Sequence, residues 1–256
     1  MLNGKIIVTN APFSHIKTYS ASEVEMRISD LNEIGIPIVH FHIDCLENKE
    51  SDFLDVAKNL QKRCDVYINI SNADVKRLLL FTNGELLPNI LSSALPTNSY
   101  KLFGNWQNYP FNDMLVVANE RSRQLVQELC IFDEKTLKSS IEMISRMKHP
   151  RNTTINCFLG YPDCYPANKK TIDEVLDVIS DIERIVCFTF FNTSDSDLYE
   201  YVISHDREIR IGEEDNNVLG SSEVQSEVIM NIIKRAGKRV AVKQEIDEMF
   251  ERRGML

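Results

Sequence analysis

His40-Phe41-His42 places two imidazoles two residues apart in a stretch, Pro37 to Ile43, rich in β-branched and aromatic residues. Successive side chains of a strand point to opposite faces, so positions 40 and 42 share a face and bring two ring nitrogens toward one point. Such a pair is compatible with two histidines facing water or a polar barrel interior. It is equally compatible with two ligands to a divalent cation if a third ligand arrives from elsewhere in the chain. The run Glu213-Glu214-Asp215 offers one. A carboxylate after a strand commonly caps a helix or meets solvent, but joined to two imidazoles it completes a three-ligand site with an open position. Zinc fits such a donor set, as do other divalent metals. Arg210, two residues before Gly212, is placed to neutralise Asp215, to hold a substrate carboxylate by paired hydrogen bonds, or to form an ordinary ion pair.

For these groups to meet, the strands that carry them must end at the same edge of a closed sheet. Short β-branched or aromatic runs alternate along the chain with stretches of helical period, the pattern of repeated βα units. Eight strands are expected, at Lys5 to Thr9, Pro37 to Ile43, Val66 to Ser71, Tyr100 to Phe103, Leu129 to Phe132, Thr154 to Leu159, Ile185 to Phe191 and Glu208 to Gly212. Ser22-Glu23 opens one helix before Val24, Ile28 and Leu31, and Thr171 opens another carrying Ile172, Val175, Leu176 and Ile179. Eight such pairs predict a (β/α)8 TIM barrel. An open doubly wound sheet would carry a glycine-rich first turn, whereas the first strand here runs into Asn10-Ala11-Pro12. The chain, 1–256, reads as a single domain with an additional C-terminal helix around Val242 to Phe250.

Composition narrows the function classes. A net charge of −9 argues against binding to nucleic acid, which relies on clustered Lys and Arg. No apolar run approaches the roughly 18 residues that a membrane span needs. The opening MLNGKIIVTNA lacks a small-residue cleavage pattern and reads as a strand, from which a cytoplasmic location is expected. The six cysteines show no CxxC spacing and read as reduced thiols. A barrel hydrolase of the amidohydrolase type would need further histidines on its fifth and sixth strands. Leu129 to Phe132 and Thr154 to Leu159 hold none, and His15, His149 and His205 fall in loop or helix positions.

Two blocks, in order, resemble a known family. Glu208-Ile-Arg210-Ile-Gly-Glu-Glu214-Asp215-Asn216, followed by Gly220, Val228 and Gly237-Lys-Arg-Val-Ala241, is similar to the "VRVGLEDN…G…NAELV…GR…A" ending of the β-keto acid cleavage enzymes, the 3-keto-5-aminohexanoate cleavage enzyme type. Ser20-Ala-Ser-Glu-Val24, leading through Gly35 to Val39-His40-Phe-His42, resembles their "TPEEI…AGA…VHIHVRD". Asn69-Ile-Ser71 resembles the segment before "STGG", and Glu128-Leu-Cys-Ile-Phe-Asp133 resembles "PELEVFD". The resemblance implies a zinc-bearing barrel, a homo-oligomer, that condenses a small-molecule β-keto acid with acetyl-CoA, a CoA thioester, giving acetoacetate and a new acyl-CoA. It places His40, His42 and Glu214 on the metal ligands, Asp215 on the general base, Arg210 on its charge partner and Ser71 on a substrate-contacting serine. Asn72 and Asn105, in the turns that replace "STGG" and "GSxNF", are assigned with Ser71 to substrate binding.

The chain departs from the family at several of these places. Pro12 stands where a glutamate follows "TGA" and exchanges no proton, Asn10 replaces the glycine of that turn, and Asp44 replaces the arginine of "HVRD". The added acid at Asp44 favours a substrate bearing an amine. A carbon-carbon bond cleaving acyltransferase is therefore the first expectation. A non-catalytic or repurposed metal-binding barrel and a metal-dependent hydrolase are the alternatives.

Overall fold

Eight parallel strands close into a ring in the computed structural model: β1 (Val8–Asn10), β2 (Ile38–His40), β3 (Tyr67–Ser71), β4 (Ile90–Ala94), β5 (Val126–Ile131), β6 (Thr153–Leu159), β7 (Val186–Phe190) and β8 (Glu208–Ile211). They follow chain order around the ring, and β8 pairs with β1 to close it. The structure describes residues 4–14, 17–83, 90–94, 99–102, 105–108, 126–147, 153–179 and 185–252. Helices α1 (Ala21–Glu33), α2 (Lys49–Arg63), α3 (Asn72–Phe81), α4 (Glu134–Arg146), α5 (Lys169–Ile179), α6 (Ser196–Ser204) and α7 (Ser222–Arg235) cover the outside, and α8 (Lys243–Arg252) follows. Among the described residues every barrel strand but β4 is followed by a helix, and most of the segment after β4 lies outside them. The expected (β/α)8 barrel is what the chain forms. No helix among the described residues is long and apolar enough to cross a membrane.

The fourth strand is corrected. Of the expected Tyr100 to Phe103, residues 100–102 are not part of the barrel and Phe103 lies outside the described residues; Ser99–Leu102 pairs antiparallel with Asn105–Asn108 in a separate sheet, and Ile90–Ala94 fills the gap between β3 and β5. Locally the SYKL run, with Tyr100, is the better strand former, and Ser92 and Ser93 are poor ones. Pairing on both sides decides the matter for Ile90–Ala94, because strand preference is mostly a matter of neighbours. Only two residues separate Leu102 from Asn105, a spacing that joins antiparallel neighbours and cannot join parallel ones.

Helix starts follow capping chemistry more closely than hydrophobic period. The first helix begins at Ala21, before Ser22, because Ser20 accepts from the Glu23 amide while the Glu23 carboxylate accepts from the Ser20 amide. This reciprocal box satisfies two amides that the helix cannot, worth about 1 kcal/mol. Likewise α5 begins at Lys169, with the Asn168 side chain accepting from the Thr171 amide.

Alternation along the strands divides the interior into layers. Ile7, Ile38, Tyr67, Leu91, Val126 and Ile185 form an apolar floor at the N-terminal ends of the strands. Ala241 and three residues of α8, Ile246, Met249 and Phe250, plug it from below. The C-terminal helix thus spends its apolar face on its own barrel. Above the floor lies a buried polar belt that includes His40, Asn69, Glu128, Asn156, Thr189 and Arg210. Phe132, Phe158 and Tyr161 then pack together over the β5 to β6 side of the mouth.

Candidate metal centre

His40 is the last residue of β2, and Phe41 turns outward to pack on Phe13 and Phe53. The Phe41 amide still donates to the Asn69 carbonyl, so the extended geometry runs one residue further and returns His42 to the inner face. The two rings cross at 82° with their Nε2 atoms 3.2 Å apart. Glu214 Oε1 lies 3.5 Å from His40 Nε2 and 3.8 Å from His42 Nε2. Ligands about 2.0 to 2.1 Å from a tetrahedral zinc stand roughly 3.3 Å from one another, so these separations match a cation site without rearrangement.

The outer nitrogens support the same reading. His40 Nδ1 is 3.2 Å from Asn69 Oδ1, and His42 Nδ1 is 3.1 Å from Asp74 Oδ2. Both partners are acceptors, so both Nδ1 atoms carry hydrogen and both Nε2 atoms face the common point. Burial and then the Arg210 charge hold the His40 pKa below its ordinary value. Burial opposes charge at His42 as well, yet the interactions with Asp74 and Glu214 outweigh it and push its pKa up to about 10. These opposite directions favour one proton on the pair, on the His42 side, over two when no metal is bound. The donor set, two imidazoles braced from behind and one carboxylate, fits zinc or another divalent metal.

Glu214 arrives by way of a glycine. At Gly212 the backbone takes φ +130°, and a Cβ there would fall 2.2 Å from the Ala11 carbonyl oxygen. The Gln225 side chain accepts from the Gly212 amide, and the Glu214 amide donates to Ala11 O. The turn sends Glu214 to the histidines and Glu213 to Arg27 on α1. Local sequence does not separate the two glutamates; the turn does.

Arg210, fully buried on β8, donates from Nε to Asp215 Oδ2 at 2.7 Å and from Nη2 to Glu214 Oε1 at 2.7 Å. It thereby links the candidate cation site to Asp215. The second oxygen of Asp215 accepts from the Tyr161 hydroxyl at 2.6 Å. Burial, and next the Asp215 charge, push the Tyr161 pKa well up, so the phenol keeps its proton and remains a donor. Sequence reasoning gave no site role to Tyr161, Asn69, Asp74 or Glu128, although Asn69 and Glu128 open two of the matched motifs. The one local signal for Tyr161 is its position directly after β6, at the barrel edge where functional groups collect.

Ser71 caps α3: its hydroxyl donates to Asp74 Oδ2 at 2.7 Å and accepts from the Asp74 amide at 3.1 Å, which places it one step behind His42. Asn72 begins α3 and Asn105 begins the second strand of the hairpin, and both side chains lie outside the described residues. Asp44 pairs with Arg77 at 3.0 Å and with Lys49 at 3.4 Å. Asn10 faces away from the site and ties β1 to α7 through Ser226. His205 ends α6, bonded to the Tyr201 carbonyl, and His15 and His149 lie outside the described residues.

Against this geometry stand the likenesses to known proteins. A family model described as beta-keto acid cleavage enzyme matches residues 19–251. No curated protein matches in sequence. Among solved structures, a dihydropteroate synthase from Coxiella burnetii is 12% identical with a TM-score of 0.57, over 91% of this chain and 93% of that one. A truncated 3-deoxy-D-arabino-heptulosonate 7-phosphate synthase from Thermotoga maritima is 13% identical with a TM-score of 0.61, over 93% and 91%. At these identities the structural likeness speaks for the barrel alone.

Proposed function

Because the chain belongs to the beta-keto acid cleavage enzyme family, whose members cleave carbon-carbon bonds in small molecules, we propose that it is a zinc-dependent acyltransferase acting on a β-keto acid and acetyl-CoA. In this reaction the bond between the keto carbon and the neighbouring carbon breaks. The carboxymethyl fragment joins the acetyl group as acetoacetate, and the remaining acyl group leaves on CoA. The observation that carries the reading is the meeting of His40, His42 and Glu214 from two separate strand ends, with their ligand atoms all within 4.8 Å of one another.

His40, His42 and Glu214 hold the cation, which when bound supplies a Lewis acid to the keto and carboxylate oxygens. Asp215 is the general base, and Arg210 fixes its orientation while offsetting its charge. The Tyr161 hydroxyl occupies the second Asp215 oxygen, so the base becomes available only when that hydrogen bond opens or relays the proton. Ser71, Asn72 and Asn105 contact substrate. His42 is 28% exposed against 3% for His40, which puts the approach to the centre on the His42 side. A homo-oligomer is the proposed assembly.

Zinc-loaded protein incubated with acetyl-CoA and a panel of β-keto acids, with and without an amine, should yield new acyl-CoA species by mass spectrometry. Thioester hydrolysis that needs no keto acid would favour the hydrolase. Absence of both across the panel would favour a repurposed metal-binding barrel, the reading to which Pro12 and the capped Asp215 lend weight.

A further inference from the structure

We propose that Glu128 is a positioning residue for the cation site: through Asn69 it fixes which ring nitrogen of His40 carries hydrogen, so that Nε2 turns a lone pair toward His42 and Glu214. The inference rests on the metal reading of that site.

Asn69 stands between two groups, with Oδ1 3.2 Å from His40 Nδ1 and Nδ2 3.3 Å from Glu128 Oε1. The two ends of a primary amide are almost alike in shape, so fit alone does not choose which end faces the histidine. The chemistry of the far partner chooses. The Glu128 oxygen is the acceptor here, which commits the amide NH2 group to Glu128 and the amide oxygen to His40. An amide oxygen also only accepts, which commits His40 Nδ1 to carrying hydrogen. Nε2 is then left with its lone pair. A flipped amide would reverse every step and aim an N–H bond at the place where a cation has to sit.

Register and burial make the chain of contacts tight. His40 and Asn69 are direct partners across β2 and β3, and Glu128 reaches the amide from β5, beyond β4. His40, Asn69 and Glu128 are 2%, 1% and 7% exposed, so bulk water does not stand in for any of them. Arg210, which also holds Glu214 and Asp215, feels the Glu128 charge and offsets it. The second imidazole uses the same logic in a shorter form, with Asp74 accepting directly from His42 Nδ1. Each ligand nitrogen is thus set by an acid behind it, one at a single remove and one at two.

The test uses the full chain and two readouts. Nitrogen-15 NMR of the imidazoles in metal-free wild type should show His40 protonated at Nδ1 and bare at Nε2. The opposite tautomer would overturn the proposal, and this readout stands even if the protein binds no metal and the functional reading fails. In zinc competition against a chromophoric chelator, Glu128→Met should weaken affinity roughly 10- to 100-fold. Glu128→Gln, which can turn its own carbonyl to Asn69, should stay within about 3-fold of wild type. A folded Glu128→Met protein with wild-type affinity, or a Gln variant as weak as the Met variant, would contradict the assignment. If the Met variant fails to fold, the wild-type tautomer decides.

Discussion

The Nε2 atoms of His40 and His42 face each other at 3.2 Å while both Nδ1 atoms are already engaged by acceptors. Two bare lone pairs do not rest at that distance. Either one hydrogen lies between them or a cation does, and the opposite pKa directions, His40 down and His42 up to about 10, favour a single shared hydrogen when no metal is bound. A proton there would stand where the cation would bind.

Metal binding must then expel that proton. A histidine whose folded pKa is raised from 6.5 to about 10 contributes stability that is fully present below 6.5 and is lost as the pH rises through about 10. For the metal the sign is opposite: apparent affinity should climb about tenfold per pH unit between roughly pH 7 and 9. Chelator competition across that range checks it, and a flat profile would remove the shared proton from the account.

Tyr161→Phe deletes the 2.6 Å hydrogen bond to Asp215 and leaves the ring among Phe132, Phe158 and Phe191. Losing a buried bond to a charged group should cost about 1.5 to 3 kcal/mol in chemical denaturation. Zinc affinity should change little, because the deleted bond is made to Asp215, which is not one of the three candidate ligands. An unchanged denaturation midpoint would show that the hydroxyl does not hold Asp215 in solution.

Phe250→Ala should open a void beneath the barrel floor, where the ring packs on Tyr67 with centroids 5.7 Å apart. The expected loss is about 3 to 5 kcal/mol of stability. Metal stoichiometry should survive, since the floor and the centre lie at opposite ends of the strands. Denaturation and metal analysis on the same sample separate the two effects, and a variant as stable as wild type would mean that α8 is not a plug.

How much of this was legible in the sequence depends on how local each feature is. Strand parity across Phe41 is a two-residue property, so the pairing of His40 with His42 could be read directly. Strand β4 could not, because the claim of Ile90–Ala94 to the barrel comes from β3 and β5 and its own serines argue against it. Glu214 and Glu213 are neighbours with the same chemistry, and only the Gly212 backbone sends one inward and the other to Arg27. Asn69, Asp74, Glu128 and Tyr161 matter through partners far along the chain or across the ring, which spacing does not encode. The family motifs reached the three candidate ligands and Arg210; the residues that brace them needed coordinates.

The central claim is that His40, His42 and Glu214 form one cation site, and metal analysis of purified protein tests it most directly. Wild type, reconstituted with zinc and desalted, should retain about one ion per chain, and a folded His40→Ala, His42→Ala double variant should retain almost none. Equal zinc in the two proteins, or none in wild type, would contradict it.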